Sequence, residues 1–241
     1  MEKEEQIQIL KDLIKINSVN GNEIEVATYL KKLFAKHGID AQIDAFGDDR
    51  ANLTVDFGTG DQVLGITGHM DTVAVGDENK WHTSPFDPYQ DGDRLYGRGA
   101  ADMKSGLAAE VIALIELHDQ GQLPAGHVRF IATAGEEYGT PGANRLEAAG
   151  VAKDLVGLVV GEPTSGNVVY AHSGSLNYRI TSTGKSVHSS QPENGTNAID
   201  ALVDYCIKER TLFDDAPLDP YLGKVKHSVT VINRGDLVNT I

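Results

Sequence analysis

The chain has a single cysteine, Cys206, which excludes an intramolecular disulfide and any zinc site built on thiolates. It lies among Ile199, Leu202, Val203 and Ile207 in an apolar helical stretch, where a free thiol is expected to pack as a small hydrophobe. Basic runs are also missing. With 21 Lys and Arg against 35 Asp and Glu, the formal net charge is −14, which argues against nucleic acid or an anionic membrane surface as a partner. No apolar run is long enough to cross a bilayer. The acidic start, Met1 to Gln6, has neither the basic region nor the apolar segment of a secretion signal, so the sequence reads as cytoplasmic.

The 241 residues, 40% of them hydrophobic, suffice for a large domain and a smaller one. Ile7, Leu10, Leu13 and Ile14 make one apolar helical face; Ile24, Ala27, Leu30, Leu33 and Phe34 make another, stopped at Gly38. Alternation then predicts half-buried strands at Ile39 to Ala45 and Leu53 to Phe57. Val63 to Thr67, Val128 to Ala134 and Leu155 to Val160 are continuous apolar runs, expected of strands covered on both faces. Helical segments at about Lys104 to Leu117 and Pro141 to Ala149 lie between them, which gives a layered α/β core. The long loop from Gly76 to Arg98 offers Trp81, Pro85, Phe86 and Pro88 as packing anchors, and a loop of that length is expected to be functional.

After Glu162 the pattern changes to alternation at Leu176, Tyr178 and Ile180, a helix at about Asn197 to Arg210, a Pro/Asp-rich turn and a strand at Ser228 to Asn233. A boundary near Ser175 divides a domain of residues 1–175 from one of residues 176–241. Two strands and one helix are few for a self-standing sheet domain.

Chemistry-bearing residues collect where strands finish. His69 and Asp71 follow the first buried strand, Asp102 lies in a turn before a helix, Glu136 and Glu137 end a second strand, and Glu162 ends a third. In open α/β sheets the crevice beyond the carboxyl ends of the strands is the ligand site. Carboxylates crowded there repel one another unless cations intervene, and a pair of divalent ions about 3.5–4 Å apart makes a hydrolytic centre. Asp71, two residues beyond His69 on the same side of an extended segment, can accept the second imidazole N–H. One of Glu136 and Glu137 can coordinate while the other remains a base. A lone His at a strand end, or a lone Glu-Glu pair, is usually structural; their convergence reverses that reading. Gly99 to Ser105 is not a phosphate loop, because Met103 stands where a Gly must precede Lys104-Ser105 and Asp102 would repel phosphate.

Four motifs, Gly68-His69-Met70-Asp71-Thr72-Val73, Gly97 to Gly106, Gly135-Glu136-Glu137 and Gly161-Glu162-Pro163-Thr164, together resemble those of the di-zinc deacylase and exopeptidase family. That family includes acetylornithine deacetylase, succinyl-diaminopimelate desuccinylase, aminoacylase and glutamate carboxypeptidase. The resemblance implies a zinc-hydrolase catalytic domain with a partial α+β, ferredoxin-like lid and dimerisation domain starting at Gly184-Lys185-Ser186-Val187-His188. It implies that His69 and Glu162 bind one zinc, Glu137 the other, and Asp102 bridges both, with a cis peptide after Asp102. Cobalt or manganese would also suit these ligands. Glu136 would be the general base, and His188 would reach a partner subunit's site in a homodimer and stabilise the oxyanion. The implied substrate is an N-acyl amino acid, cleaved at its amide; a di- or tripeptide, or a non-catalytic fragment, are the alternatives. Glu at position 162 leans towards the deacylase branch. In the family a further His ligand comes from a later segment, so the second zinc is expected to be incompletely held by a chain ending at Ile241.

Overall fold

The structure, a computed structural model, describes residues 1–123 and 125–233. Two compact units divide at Gly166 and Asn167, earlier in the chain than the Ser175 boundary expected from the sequence.

The first unit opens with α1 (Lys3–Lys15) and α2 (Glu23–Lys36), each presenting the face its periodicity predicts: Ile9, Leu13 and Ile14 from α1, and Val26, Ala27, Leu30, Leu33 and Phe34 from α2, are buried. Gly38, at φ +71°, takes the chain out of α2 through a left-handed conformation that glycine adopts without strain. The strands β1 (Gln42–Phe46), β2 (Arg50–Gly58) and β3 (Val63–His69) follow, then a hairpin of β4 (Tyr89–Asp91) and β5 (Arg94–Tyr96) within the long loop, α3 (Lys104–Asp119), β6 (His127–Thr133), α4 (Pro141–Ala148) and β7 (Leu155–Val160). The main sheet has the order β1-β2-β6-β3-β7. β1 and β6 each pair antiparallel to β2, while β3 pairs parallel to both β6 and β7. The carboxyl ends of β3, β6 and β7 therefore finish at one edge.

The core lies between this sheet and the helices: Leu53, Val55 and Phe130 from the strands pack with Phe34, Leu107, Val111 and Ile115 from α2 and α3. Each such side chain contributes about 1.5–3 kcal/mol through removal from water. β7 departs from expectation. It is a sheet-edge strand in which Val156, Leu158, Val159 and Val160 are about half or more exposed, so its continuous apolar run is not covered on both faces among the described residues. In the long loop Pro85 is buried, Trp81 donates its indole N–H to Val75 O (3.0 Å), and the Arg98 guanidinium lies 5.2 Å from the Trp81 ring.

The second unit holds α5 (Ala198–Glu209), capped by the Asn197 side chain, which accepts the Ile199 N–H. Tyr178 and Tyr205 share a hydroxyl hydrogen bond (2.9 Å), and His227 pairs with Glu209. Lys185 and Thr196 form an isolated bridge. The strands expected at 176–180 and 228–233 are not formed among the described residues, because alternation alone cannot satisfy a strand that lacks a neighbour in a ladder. Residues 234–241, the end of the expected second domain, lie outside the described residues. Cys206 is half-buried. No helix among the described residues is long and apolar enough to cross a membrane.

Candidate metal centre

His69 is the last residue of β3 and its imidazole is 2% exposed. Its Nε2 lies 3.1 Å from Asp102 Oδ1 and 3.7 Å from Glu162 Oε1. Asp102 comes from the turn that opens α3, where the Asp102–Met103 peptide is cis, as the resemblance implies. Glu162 follows β7, and Glu136 and Glu137 follow β6. Two overlapping donor sets result, His69 with Asp102 and Glu162, and His69 with Glu136 and Glu137, in each of which the donor atoms lie within 4.8 Å of one another. Mixed imidazole and carboxylate donors at this spacing suit a pair of adjacent divalent ions. The buried imidazole is fixed, whereas the side chains of Asp102 and Glu162 are 55% and 35% exposed, which leaves the centre open on one side.

The electrostatics are those of crowded acids. Burial pushes the Glu137 carboxyl up, with the Asp102 charge adding to it; burial likewise raises Glu162, again with Asp102 adding and His69 opposing. Burial would lower His69, but the adjoining Asp71, Glu162 and Asp102 outweigh it and raise the imidazole to about 9. Burial and the neighbouring charges thus act together on every member of the cluster.

Asp71 does more than the sequence suggested. His69 Nδ1 sits 3.0 Å from the Asp71 main-chain O and 3.4 Å from its Oδ1. The same carboxylate accepts the backbone N–H groups of Glu136 (2.9 Å) and Glu137 (3.1 Å). One buried acid thus orients the imidazole and anchors the Glu-Glu turn. Burial works against its charge, yet His69 and those two amides hold it below the usual carboxylate range.

Three further residues went unrecognised in the sequence. Lys104, fully buried, donates from Nζ to Leu13 O (2.8 Å) and Ile16 O (2.7 Å), tying the turn that carries Asp102 to the end of α1; burial pulls its ammonium down to about 7, with Asp71 opposing. Asn52, also fully buried, accepts the Ala134 N–H and donates to Gly142 O, both at 3.1 Å, and so brackets the end of β6. Ser18 Oγ donates to Met70 O (2.8 Å) from the segment between α1 and α2. Asn52, between Ala51 and Leu53, offered a signal as a polar residue among apolar ones, but the partners of all three are backbone atoms, which leave no mark on the sequence. A groove of about 780 Å³ between β1 and α4 is lined by Phe46, Arg145 and Leu146 and by no member of the donor sets.

His188 belongs to the second unit and is exposed. Its Nδ1 accepts the Ser190 backbone N–H (3.2 Å), so in the neutral ring the proton resides on Nε2, which is then a free-facing donor.

Residues 65–220 match the model of peptidase family M20/M25/M40. A probable succinyl-diaminopimelate desuccinylase of Staphylococcus aureus is 47% identical over 201 residues, covering 83% of this chain and 49% of the relative. Two solved structures share the fold. An M20 family metallo-carboxypeptidase of Sulfolobus solfataricus superposes with a TM-score of 0.63 at 21% identity, over 91% of this chain and 51% of the other. A tripeptidase of Staphylococcus aureus superposes with a TM-score of 0.62 at 22% identity, over the whole of this chain and 63% of the other. The chain spans about half the length of the curated relatives it matches. By its sequence motifs, its fold and its paired donor sets, this chain belongs to peptidase family M20/M25/M40.

Proposed function

We propose that the protein hydrolyses the amide of N-acyl amino acids in a metal-dependent reaction, as a deacylase of the succinyl-diaminopimelate desuccinylase type. The observation that carries this reading is the convergence of two donor sets on the buried His69 at the edge where three parallel strands end. The acyl-amino-acid substrate is supported by the 47% identity to the probable desuccinylase.

In this reading His69 and Glu162 would hold one divalent ion and Glu137 a second, with Asp102 placed to serve both. Zinc fits the donors best, with cobalt and manganese as workable substitutes. When bound, such ions would supply Lewis acidity for hydrolysis of the amide. The chain's own groups do the rest. Glu136, anchored through its backbone N–H by Asp71, takes the proton from the attacking water and returns it to the leaving amine; its carboxylate lies within reach of His69 and Glu137, next to where that water would stand. Asp71 keeps the imidazole tautomer and the Glu-Glu turn in place. His188, with its proton on Nε2, donates to the oxygen on which negative charge develops, in a homodimer whose second unit serves as lid. Cytoplasmic location and a small-molecule substrate complete the proposal.

The test is metal stoichiometry of the purified protein together with cleavage of N-succinyl-diaminopimelate, N-acetylornithine and a set of di- and tripeptides. Bound divalent metal and preferential cleavage of the succinyl substrate support the proposal. Cleavage of the peptides alone would reassign the substrate class, and a protein that binds no metal would overturn the mechanism.

A further inference from the structure

Beneath His69 and Glu162 lies an acid that the mechanism above does not use. Glu110 is on α3, one turn after Gly106 and three residues after the buried Leu107, on the side of the helix turned to β3. Both its carboxyl oxygens are buried without a hydrogen-bond partner among the described residues. They rest on two glycines: a Cβ at Gly161 would fall 2.6 Å from Oε1, and one at Gly68 would fall 3.1 Å from Oε2. The Met103 methyl completes this layer, 2.5 Å from where a Cβ of Gly68 would stand, and the Met103 sulfur accepts the His69 N–H at 3.1 Å. Gly68 and Gly161 immediately precede His69 and Glu162. They sit side by side on adjoining strands, since Gly161 N–H donates to Thr67 O at 3.1 Å.

An ionised carboxylate is poorly served in this place, because the amide that faces it, that of Gly161, already donates to Thr67 O. A carboxylic acid is neutral and brings its own O–H. A carbonyl is close at hand: a Cβ at Gly106 would fall 1.9 Å from Gly161 O, so that oxygen is pressed against the same face of α3. Burial pushes the Glu110 carboxyl up to about 8, with the Gly161 amide opposing and the Glu162 charge adding. The surrounding elements carry Glu162 after β7, His69 on β3, and Asp102 and Lys104 at the head of α3.

We propose that Glu110 is a positioning residue for His69 and Glu162, a buried neutral carboxylic acid that, with Met103, fills the space left by two glycines and fixes the spacing of the strand ends. The proposal rests on the reading of that pair as metal ligands. Glutamine matches the shape and neutrality of the protonated acid; alanine leaves a void.

The linkage has a definite sign. A folded-state value near 8 against the ordinary 4.5 means that the folded chain keeps a proton which the unfolded chain releases. Stability from this group is full below about 4.5 and is lost as pH rises through about 8. Glu110→Gln has no such dependence.

The experiment compares wild type, E110Q and E110A as purified, metal-free proteins, melted at pH 5 and pH 9 and then titrated with cobalt(II) by visible absorption. We expect the Tm of E110Q relative to wild type to rise by more than about 3 °C between pH 5 and pH 9. E110Q should bind cobalt within about threefold of wild type, and E110A should bind about tenfold more weakly. A Tm difference that is the same at both pH values would overturn the neutral acid; cobalt binding by E110A equal to wild type would overturn the positioning role. If E110A does not fold, E110D withdraws the carboxyl by one methylene and takes its place. A wild type that takes up no cobalt removes the ligand reading, and the positioning role with it, whereas the pH-dependent stability difference is decided separately.

Discussion

The two units of this chain treat their apolar residues in opposite ways. In the first, Leu13, Leu30, Leu53, Leu107 and Phe130 are fully buried; in the second, Val168, Tyr170, Leu176 and Val231 are 73–90% exposed. The first unit holds its functional groups by contacts that span the chain, 33 residues between His69 and Asp102 and 65 between Asp71 and Glu136. His188 in the second unit is held by Ser190, two residues away. A group fixed by distant parts of the fold shares in the cooperativity of the whole core, whereas one fixed locally can move without unfolding anything. The proposed base and metal ligands belong to the first kind, and the proposed oxyanion donor belongs to the second.

Substitutions can break that contrast or sharpen it. The largest effect is expected at Glu136: replacement by Gln should lower turnover by roughly 100- to 10,000-fold with metal content and Tm unchanged, measured by steady-state kinetics alongside elemental analysis. A loss of metal in that variant would make Glu136 a ligand. His188→Ala should cost roughly 100-fold in turnover with no change in metal affinity, as befits a group outside the buried network; an unchanged rate would remove its role. Asp71→Ala should lower metal affinity or activity by roughly 10- to 100-fold, read by metal titration, because it releases the imidazole and both amides of the Glu-Glu turn together.

Lys104→Met tests the first unit through stability. It leaves Ile16 O without this donor while Leu13 O keeps the Ile16 N–H (3.2 Å), a loss of about 1–3 kcal/mol for the polar group left unpaired, to be read from urea unfolding. The smallest effect belongs to the second unit: Val231→Thr, on a side chain 73% exposed, should change stability by less than about 0.5 kcal/mol. A large loss there would mean that Val231 is covered in the working protein.

The sequence made much of the first unit readable. β7 runs from Leu155 to Val160 as its apolar run suggests, and each motif residue is found at a strand or helix end. Strand periodicity, turn glycines and metal-type side chains all act locally, so they leave a local trace. Asp71 as an anchor for two amides, Lys104 as a tie to α1 and Glu110 under the glycine floor were not legible, since each depends on which backbone atoms another segment brings near. The alternation at Leu176, Tyr178 and Ile180 misled for the complementary reason: it records which face a strand would bury, and says nothing about whether a neighbour is there to pair with. The same holds for β7, whose run of Val and Leu marks a strand suited to cover that the described residues do not provide.

The parallel register of β3 between β6 and β7 has one more consequence, and it concerns time. His69 stands opposite Thr133 on β6, and Thr67 opposite Val160 on β7, so the donors come together only when both crossovers have closed. A slip of β3 by one residue would turn His69 to the other face of the sheet. Non-local parallel pairings of this kind form slowly, after the entropy of closing long loops has been overcome. A metal-binding signal followed during refolding should therefore lag behind helix formation and reach its full amplitude only once the sheet is in register, which makes the ion itself a reporter on the last step of assembly.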